Sequence, residues 1–296
     1  MYFSPVHYEE PLFRPPAEAY SAIVQATIGC SWNQCAFCEM YTSKKFRARP
    51  MDEVLADISK LALHYGGSAK KVFLADGNAF VLSASKLTQI LEHVQKEFGR
   101  LQRVSCYASP RDILAKTDQE LVQLRELGLK LLYVGIESGD EELLQLINKG
   151  ETYQTTLDGI SRAHNAGIDT SIMILNGLGG RLYARQHAIH SARIINALNP
   201  KFLSTLTLSM PYGEEHFQEK FKGDYQQQSV VEIMQELRVF IEHLEVENVI
   251  YRSNHVSNNL ILSGTLSRDK EDLLQQIDVA IAATPADLMP VQSGAL

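Results

Sequence analysis

Apolar residues recur along this chain in two alternating rhythms. Short consecutive apolar runs fall at 22–28, 71–75, 102–108, 131–136, 168–175 and 202–208. Such runs, bounded by turn residues, predict buried strands. Between them, apolar positions recur every three or four residues. Met51, Val54, Leu55, Ile58, Leu61, Ala62 and Tyr65 predict a helix over 51–65, introduced by Pro50 and stopped by Gly66-Gly67. Leu87, Ile90, Leu91 and Val94 predict another over 85–97. Thr117 with Glu120 forms a capping box. The helix it opens carries Leu121, Leu124 and Leu127 and stops at Gly128. Further helices are predicted over 140–147, 153–166 and 184–197.

Short apolar strands separated by helical stretches pair in parallel through crossovers. The pattern predicts an α/β fold, a partial barrel or a doubly wound sheet. Its special residues all follow strands, and in such folds sites lie at the C-terminal strand ends. Residues 1–20 carry Pro5, Pro11, Pro15 and Pro16 and read as an extended arm. No linker interrupts 21–215. Beyond 215 the rhythm changes. A polar loop at 223–228 precedes a helix over 229–244 with Ile233, Leu237, Phe240, Ile241 and Leu244. A short strand at 249–252, a polar stretch over 252–265 and a helix over 268–283 follow, and the last dozen residues read as frayed. The expected organisation is an arm (1–20), a barrel (21–215) and a short, mainly helical C-terminal extension (216–296) that packs on or closes the barrel.

Composition narrows the class. The 296 residues are 45% apolar and 21% charged, enough for a substantial core. A formal net charge of −7 argues against a general nucleic-acid binder. Apolar runs fall far short of the roughly 20 residues a membrane span needs. Residues 1–10 show neither the basic nor the apolar region of a signal peptide. Three of the four cysteines are clustered, unlike a disulfide framework. A cytoplasmic protein is expected.

The chemistry concentrates in Gly29-Cys30-Ser31-Trp32-Asn33-Gln34-Cys35-Ala36-Phe37-Cys38. Three readings compete. Structural zinc takes four ligands, usually in two pairs, and no second pair is near. An electron-transfer cluster takes four cysteines, and the fourth here, Cys106, lies alone in an apolar strand where a buried structural thiol is the plain reading. Three thiolates can instead hold three irons of a four-iron cluster and leave the fourth open. Phe37 before the last cysteine would shield such a cluster from water.

These residues resemble the radical S-adenosylmethionine (radical SAM) superfamily, whose usual motif is C-x3-C-x2-C with an aromatic before the third cysteine. Here the first gap holds one extra residue. The resemblance covers about 20–215 and implies a partial (β/α)6 barrel. It implies a 4Fe-4S cluster on Cys30, Cys35 and Cys38, with SAM on the open iron. It also implies reductive cleavage of SAM to a 5′-deoxyadenosyl radical, which removes hydrogen from a small or medium-sized organic substrate. Asp76-Gly77-Asn78 stands where the family often has Gly-Gly-Glu, which holds the SAM amino group. Gly77 allows close approach, and Asp76 or Asn78 can accept the amino hydrogens. Gly135-Ile136-Glu137-Ser138-Gly139 looks like the Gly-Ile-Glu-Ser stretch of oxygen-independent coproporphyrinogen oxidases, tRNA methylthiotransferases and the Elongator catalytic subunit, whose Glu contacts SAM. The plain alternative is a solvated strand-end Glu. Gly177-Leu178-Gly179-Gly180 resembles a stretch near the adenine, though glycines also simply turn chains. Arg162 resembles the arginine on the SAM carboxylate. Arg111 is a second candidate cation, or a surface ion pair.

Lys44, Lys45, Arg47 and Arg49 form the one strongly basic run. It reads as a solvated face or as a docking patch for an acidic flavodoxin or ferredoxin that reduces the cluster. His187 and His190 share a helix face without a second ligand pair, which argues against a metal site. Arg252, Asn254, His255, Ser257 and Asn258 form a polar cluster expected over the barrel mouth. The residues leave the substrate open. The competing function is an iron-sulfur electron-transfer or cluster-carrier protein without SAM chemistry.

Overall fold

A computed structural model describes residues 4–99 and 101–290. The elements run β1 (Ala22–Gln25), β2 (Thr27–Ile28), β3 (Arg47–Ala48), α1 (Met51–Tyr65), β4 (Lys71–Ala75), α2 (Ala84–Phe98) and β5 (Arg103–Tyr107). Then come α3 (Pro110–Leu114), α4 (Asp118–Glu126), β6 (Leu129–Glu137), α5 (Glu141–Leu146), α6 (Tyr153–Asn165) and β7 (Asp169–Asn176). The chain continues through α7 (Gly180–Leu198), β8 (Phe202–Thr207), α8 (Glu214–Lys220), α9 (Val230–Glu242), β9 (Val249–Arg252), β10 (Ser263–Leu266) and α10 (Lys270–Ala283).

The chain forms two compact units. The first comprises Met1–Asn33, Met40–Val134 and Asp158–Thr170, the second Gln34–Glu39, Gly135–Leu157 and Ser171–Leu296. In the first, β1, β4, β5 and β6 pair in parallel in that order. Val72, Phe73, Leu74, Val104 and Cys106 are fully buried, because helices cover parallel strands on their faces. Burial pushes the Cys106 thiol up to about 12, as expected of a structural cysteine. The predicted strand over 22–28 is broken at Ala26. Its second piece, β2, turns to pair antiparallel with β3, Thr27 against Ala48 and Ile28 against Arg47. Thr117 caps α4 with the expected reciprocal capping box.

In the second unit β7, β8 and β9 pair in parallel, and β10 adds antiparallel to β9. The expected short strand at 249–252 is β9. The polar stretch after it also holds β10, which alternation did not reveal because this four-residue strand is only partly buried. Helix α7 begins at Gly180, four residues before the reading placed it. Ser229 opens α9 with a second capping box. An apolar cluster of Leu143, Leu144, Ile147, Leu175, Leu178, Phe217, Phe221 and Tyr225 surrounds Ala36, with Phe37 packed against it. The tail expected to fray lies partly outside the described residues.

Candidate functional site

The cysteine loop begins in the first unit on a position that only glycine fills easily. Gly29 has φ +74°, and a Cβ there would lie 3.2 Å from Lys44 Cβ. Cys30 follows, half-buried. A second glycine brings the β4 turn against it. A Cβ on Gly77 would lie 2.6 Å from the Tyr41 ring and 3.0 Å from Cys30 Cβ.

Asp76, beside it, is fully buried. Its Oδ2 accepts from the Gly29 amide at 3.0 Å and pairs with the Lys44 ammonium at 2.8 Å. Lys44 also donates to the Glu9 and Pro11 carbonyls, both at 2.6 Å. One ion pair therefore ties the arm, the start of the cysteine loop and the end of β4 together. Among the described residues Asn78 Oδ1 is buried with no hydrogen-bond partner, and the buried Tyr41 hydroxyl is the donor at hand for the Asp76 carboxylate. Burial, with the Asp76 carboxylate close by, pushes the Tyr41 phenol far up, so it stays a neutral hydroxyl. The Asn78 amide donates to Ser31 Oγ at 2.9 Å and to Asp112. Arg111, in α3 directly after β5, lies over the Trp32 ring at 4.3 Å. Three sequence stretches expected at one place, 29–33, 76–78 and 109–112, are thus joined by contacts within this unit.

Cys35 and Cys38 belong to the second unit. Glu137 ends β6 with φ +65°. A Cβ on Gly135 would lie 2.0 Å from Glu137 Oε1, so glycine there makes room for the carboxylate to fold back. Glu137 pairs with Lys149 at 3.2 Å, and the Lys149 ammonium lies 5.4 Å from the Phe37 ring centroid. Burial opposes the Lys149 charge. The Glu137 carboxylate and the Cys35 and Cys38 sulfurs outweigh it and push this ammonium up, so it is a fixed cation. Lys149 was not singled out in the sequence. Its only signal is a lone basic residue in Asn148-Lys149-Gly150, a turn that looks like ordinary surface.

Other candidates are placed differently. Ser138 is buried, with its hydroxyl on His187 Nδ1 at 2.8 Å. Gly177 has φ +80° and donates its amide to Glu236 at 2.8 Å. A Cβ on Gly179 would lie 2.6 Å from Tyr183 Cβ. Arg162, in the first unit, commits its guanidinium to Asp118 at 2.8 Å and to the Leu114 and Lys116 carbonyls at 3.1 and 2.5 Å.

The basic run needs correction as a docking patch. Lys44 is buried on Asp76 and cannot steer a partner, because its charge is spent inside. Arg47 pairs with Glu9, and Arg49 pairs with Asp57 at 2.8 Å. Lys45 remains exposed. None of the four cysteines is in a disulfide. Among the described residues no three His, Cys, Asp or Glu side chains stand as a ready metal-binding group, and no helix is long and apolar enough to cross a membrane. His190 pairs with Asp140, not with a metal-type partner set.

Residues 24–181 match the sequence family described as the radical SAM superfamily. The chain belongs to that superfamily. This radical SAM protein is 26% identical over 167 residues to a tRNA-2-methylthio-N(6)-dimethylallyladenosine synthase of Chlorobium phaeobacteroides, covering 54% of this chain and 36% of that protein. The chain spans about a third of the length of the curated relatives it matches. Coproporphyrinogen III oxidase of Escherichia coli, solved as a radical SAM enzyme, superposes with TM-score 0.56 at 18% identity, covering 75% of this chain and 52% of that one. Methylornithine synthase superposes with TM-score 0.52 at 16% identity, covering 92% and 82%. These likenesses show the fold, an α/β partial barrel. Members of the superfamily are enzymes that use a 4Fe-4S cluster and SAM.

Proposed function

We propose that this radical SAM enzyme binds a 4Fe-4S cluster through Cys30, Cys35 and Cys38 and takes SAM as co-substrate, to remove hydrogen from a small or medium-sized organic substrate. The observation that carries the reading is a buried acceptor without a donor, Asn78 Oδ1, on the turn that Gly77 presses against Cys30, next to the buried Asp76 carboxylate. Buried polar atoms are normally satisfied, and such an orphan beside a carboxylate asks for a ligand that brings N–H groups. The amino group of SAM is such a ligand.

Cys30, Cys35 and Cys38 would hold the cluster and the Asp76–Asn78 turn the SAM amino group, and bound there the two would supply one-electron chemistry for removing hydrogen from the substrate. The chain's own residues do the rest. Asp76 and Asn78 offer acceptors to the ammonium end. Lys149 and Glu137 offer one fixed cation and one carboxylate beside Cys35 and Cys38. Phe37 and Leu175, with the apolar cluster around them, keep water from that side. The electron donor is an acidic flavodoxin- or ferredoxin-type protein, for which exposed Lys45 and Arg47, the latter paired with Glu9, are the surface charges of the basic run.

The test is anaerobic reconstitution with iron and sulfide, followed by SAM and dithionite. The expected result is a 4Fe-4S spectrum, a changed electron-spin signal on adding SAM, and 5′-deoxyadenosine. A protein that takes up only zinc, or holds a cluster yet leaves SAM intact, would overturn the reading. Isotope transfer from a labelled cell-extract fraction into 5′-deoxyadenosine then identifies the substrate.

A further inference from the structure

The segment that opens the C-terminal extension grips the glycine turn after β7 from both sides. Glu236, on α9, accepts the Gly177 amide at 2.8 Å, and the Tyr225 hydroxyl donates to the Gly177 carbonyl at 3.1 Å. Four residues on, the Arg181 amide donates to the Gln226 carbonyl at 2.9 Å. A Cβ on Gly180 would lie 2.5 Å from that same carbonyl, so glycine permits the approach. The Arg181 guanidinium pairs with Glu232 on α9 at 2.9 Å.

Glu236 also faces α7. His187 Nε2 lies 3.6 Å from Glu236 Oε1 and 3.2 Å from the Leu175 carbonyl. A carbonyl only accepts, so Nε2 carries the proton and Nδ1 is the acceptor. The donors to Nδ1 are the hydroxyls of Ser138 at 2.8 Å and Ser191 at 3.3 Å. Those hydroxyls in turn accept the amides of Asp140 at 2.9 Å and Gly139 at 3.0 Å. A continuous set of contacts thus runs from α9 through α7 to the Glu137-Ser138-Gly139 turn. Glu236 is 3% exposed and His187 1%, and the Gln228 side chain hydrogen-bonds to the Glu236 carboxyl.

We propose that Glu236, with Tyr225, is a positioning clasp through which the C-terminal extension holds the Gly177-Leu178-Gly179 turn, and through His187 the Glu137 turn, in the form that accepts SAM. This rests on the reading of those turns as part of the SAM site. Glu236 makes no contact with the reacting atoms and acts through Gly177. The groups facing the pair are the Gly177 amide, Gln228, Tyr225 and His187 toward Glu236, and Asp140 and His190 toward His187. Burial pushes the Glu236 carboxyl up to about 8 and the His187 imidazole down to about 4, so both are neutral at pH 7.

The sign of the pH effect follows. Between about pH 4.5 and 8 the folded state keeps the Glu236 proton and the unfolded chain has lost it, so stability falls as pH rises. Between about pH 4 and 6.5 the unfolded chain protonates His187 and the folded state does not, so stability rises. The two oppose each other where they overlap and leave a net loss from about pH 6.5 to 8. Gln at position 236 keeps the acceptor for Gly177 without a titrating proton.

Glu236→Gln should therefore bind SAM as the wild type does at pH 7 and lack the decline between pH 6.5 and 8, read by thermal unfolding across pH. Glu236→Ala should raise the SAM dissociation constant of the reconstituted enzyme about tenfold, the cost of leaving a buried amide unpaired. It should also speed hydrogen exchange at the Gly177 amide. Unchanged exchange and unchanged SAM affinity in Glu236→Ala would overturn the clasp. Should Glu236→Ala not fold, a Glu236→Gln protein with the wild-type pH profile would overturn it as well. Failure of the wild type to bind SAM would instead sink the functional reading, and Gly177 exchange would still report on the clasp.

Discussion

The two halves of the cysteine loop rest on opposite kinds of ground. Cys30, in the first unit, sits on a polar base, the buried Asp76–Lys44 pair with the orphaned Asn78 oxygen beside it. Cys35 and Cys38, in the second, sit beside Phe37 and an apolar cluster in which the nearby cation, Lys149, is held by Glu137. The polar base offers an acceptor that still needs a donor. The apolar side offers a positive charge in a place of low dielectric, where it is felt strongly. One loop thus begins by a buried acceptor without a donor and ends by a fixed cation.

The comparison breaks most completely if the thiolates are removed. Cys30→Ala, Cys35→Ala or Cys38→Ala should each abolish the 4Fe-4S spectrum and 5′-deoxyadenosine formation, because three thiolates are the minimum for such a cluster. Iron analysis and absorbance after reconstitution check this. Cys106→Ala should leave both intact.

Next in size is the polar base. Asp76→Leu leaves the Lys44 ammonium buried without its counter-charge and should cost about 3–5 kcal/mol in urea unfolding. The double variant Asp76→Leu with Lys44→Met should recover a large part of that cost, since the buried charge is then gone. Both should lose SAM affinity in the reconstituted protein. A double variant that binds SAM normally would show that the base is structural alone.

The apolar end should respond through the cluster and not through folding. Lys149→Met removes the cation beside Cys35 and Cys38, so the reduction potential of the cluster should fall and 5′-deoxyadenosine formation should slow on the order of tenfold. Stability should fall by less than in the Asp76→Leu protein, because the Lys149 and Glu137 side chains are each 14% exposed and those of Lys44 and Asp76 at most 2%. Redox titration separates this from a folding defect. The smallest effect is expected at Lys45→Glu, about a twofold slower reduction by an acidic donor protein at low salt, vanishing at high salt.

Much of this was legible along the chain. Phe73 and its neighbours announced a buried strand because both of its faces are covered. Thr117 and Glu120 announced a helix start because a capping box is satisfied within one turn. Gly77 and Gly135 were legible as glycines placed after or within strands, though what they make room for was not. Lys44, Arg162 and Lys149 were not legible. All three are long cations in polar stretches, and the sequence ranked them by neighbourhood. Lys44 looked like one of four surface charges and is the buried partner of a residue 32 positions away. Arg162 looked like a ligand for a carboxylate, and its guanidinium is committed to Asp118 and two carbonyls.

By itself, then, the sequence determined the alternation of strands and helices, the strand-end location of the chemistry and the three cysteines on one loop. Each of those depends on local periodicity or on spacing of a few residues, which the chain carries wherever it folds. Only the tertiary structure decided which cation faces which acid, which oxygen stays unsatisfied on the Asp76–Asn78 turn, and that α9 reaches back to hold Gly177. Partners of that kind are set by packing between segments tens of residues apart, where burial fixes a single arrangement among the many that charge alone would allow. The cysteine loop names the chemistry, and the buried pairs around it decide how that chemistry is held.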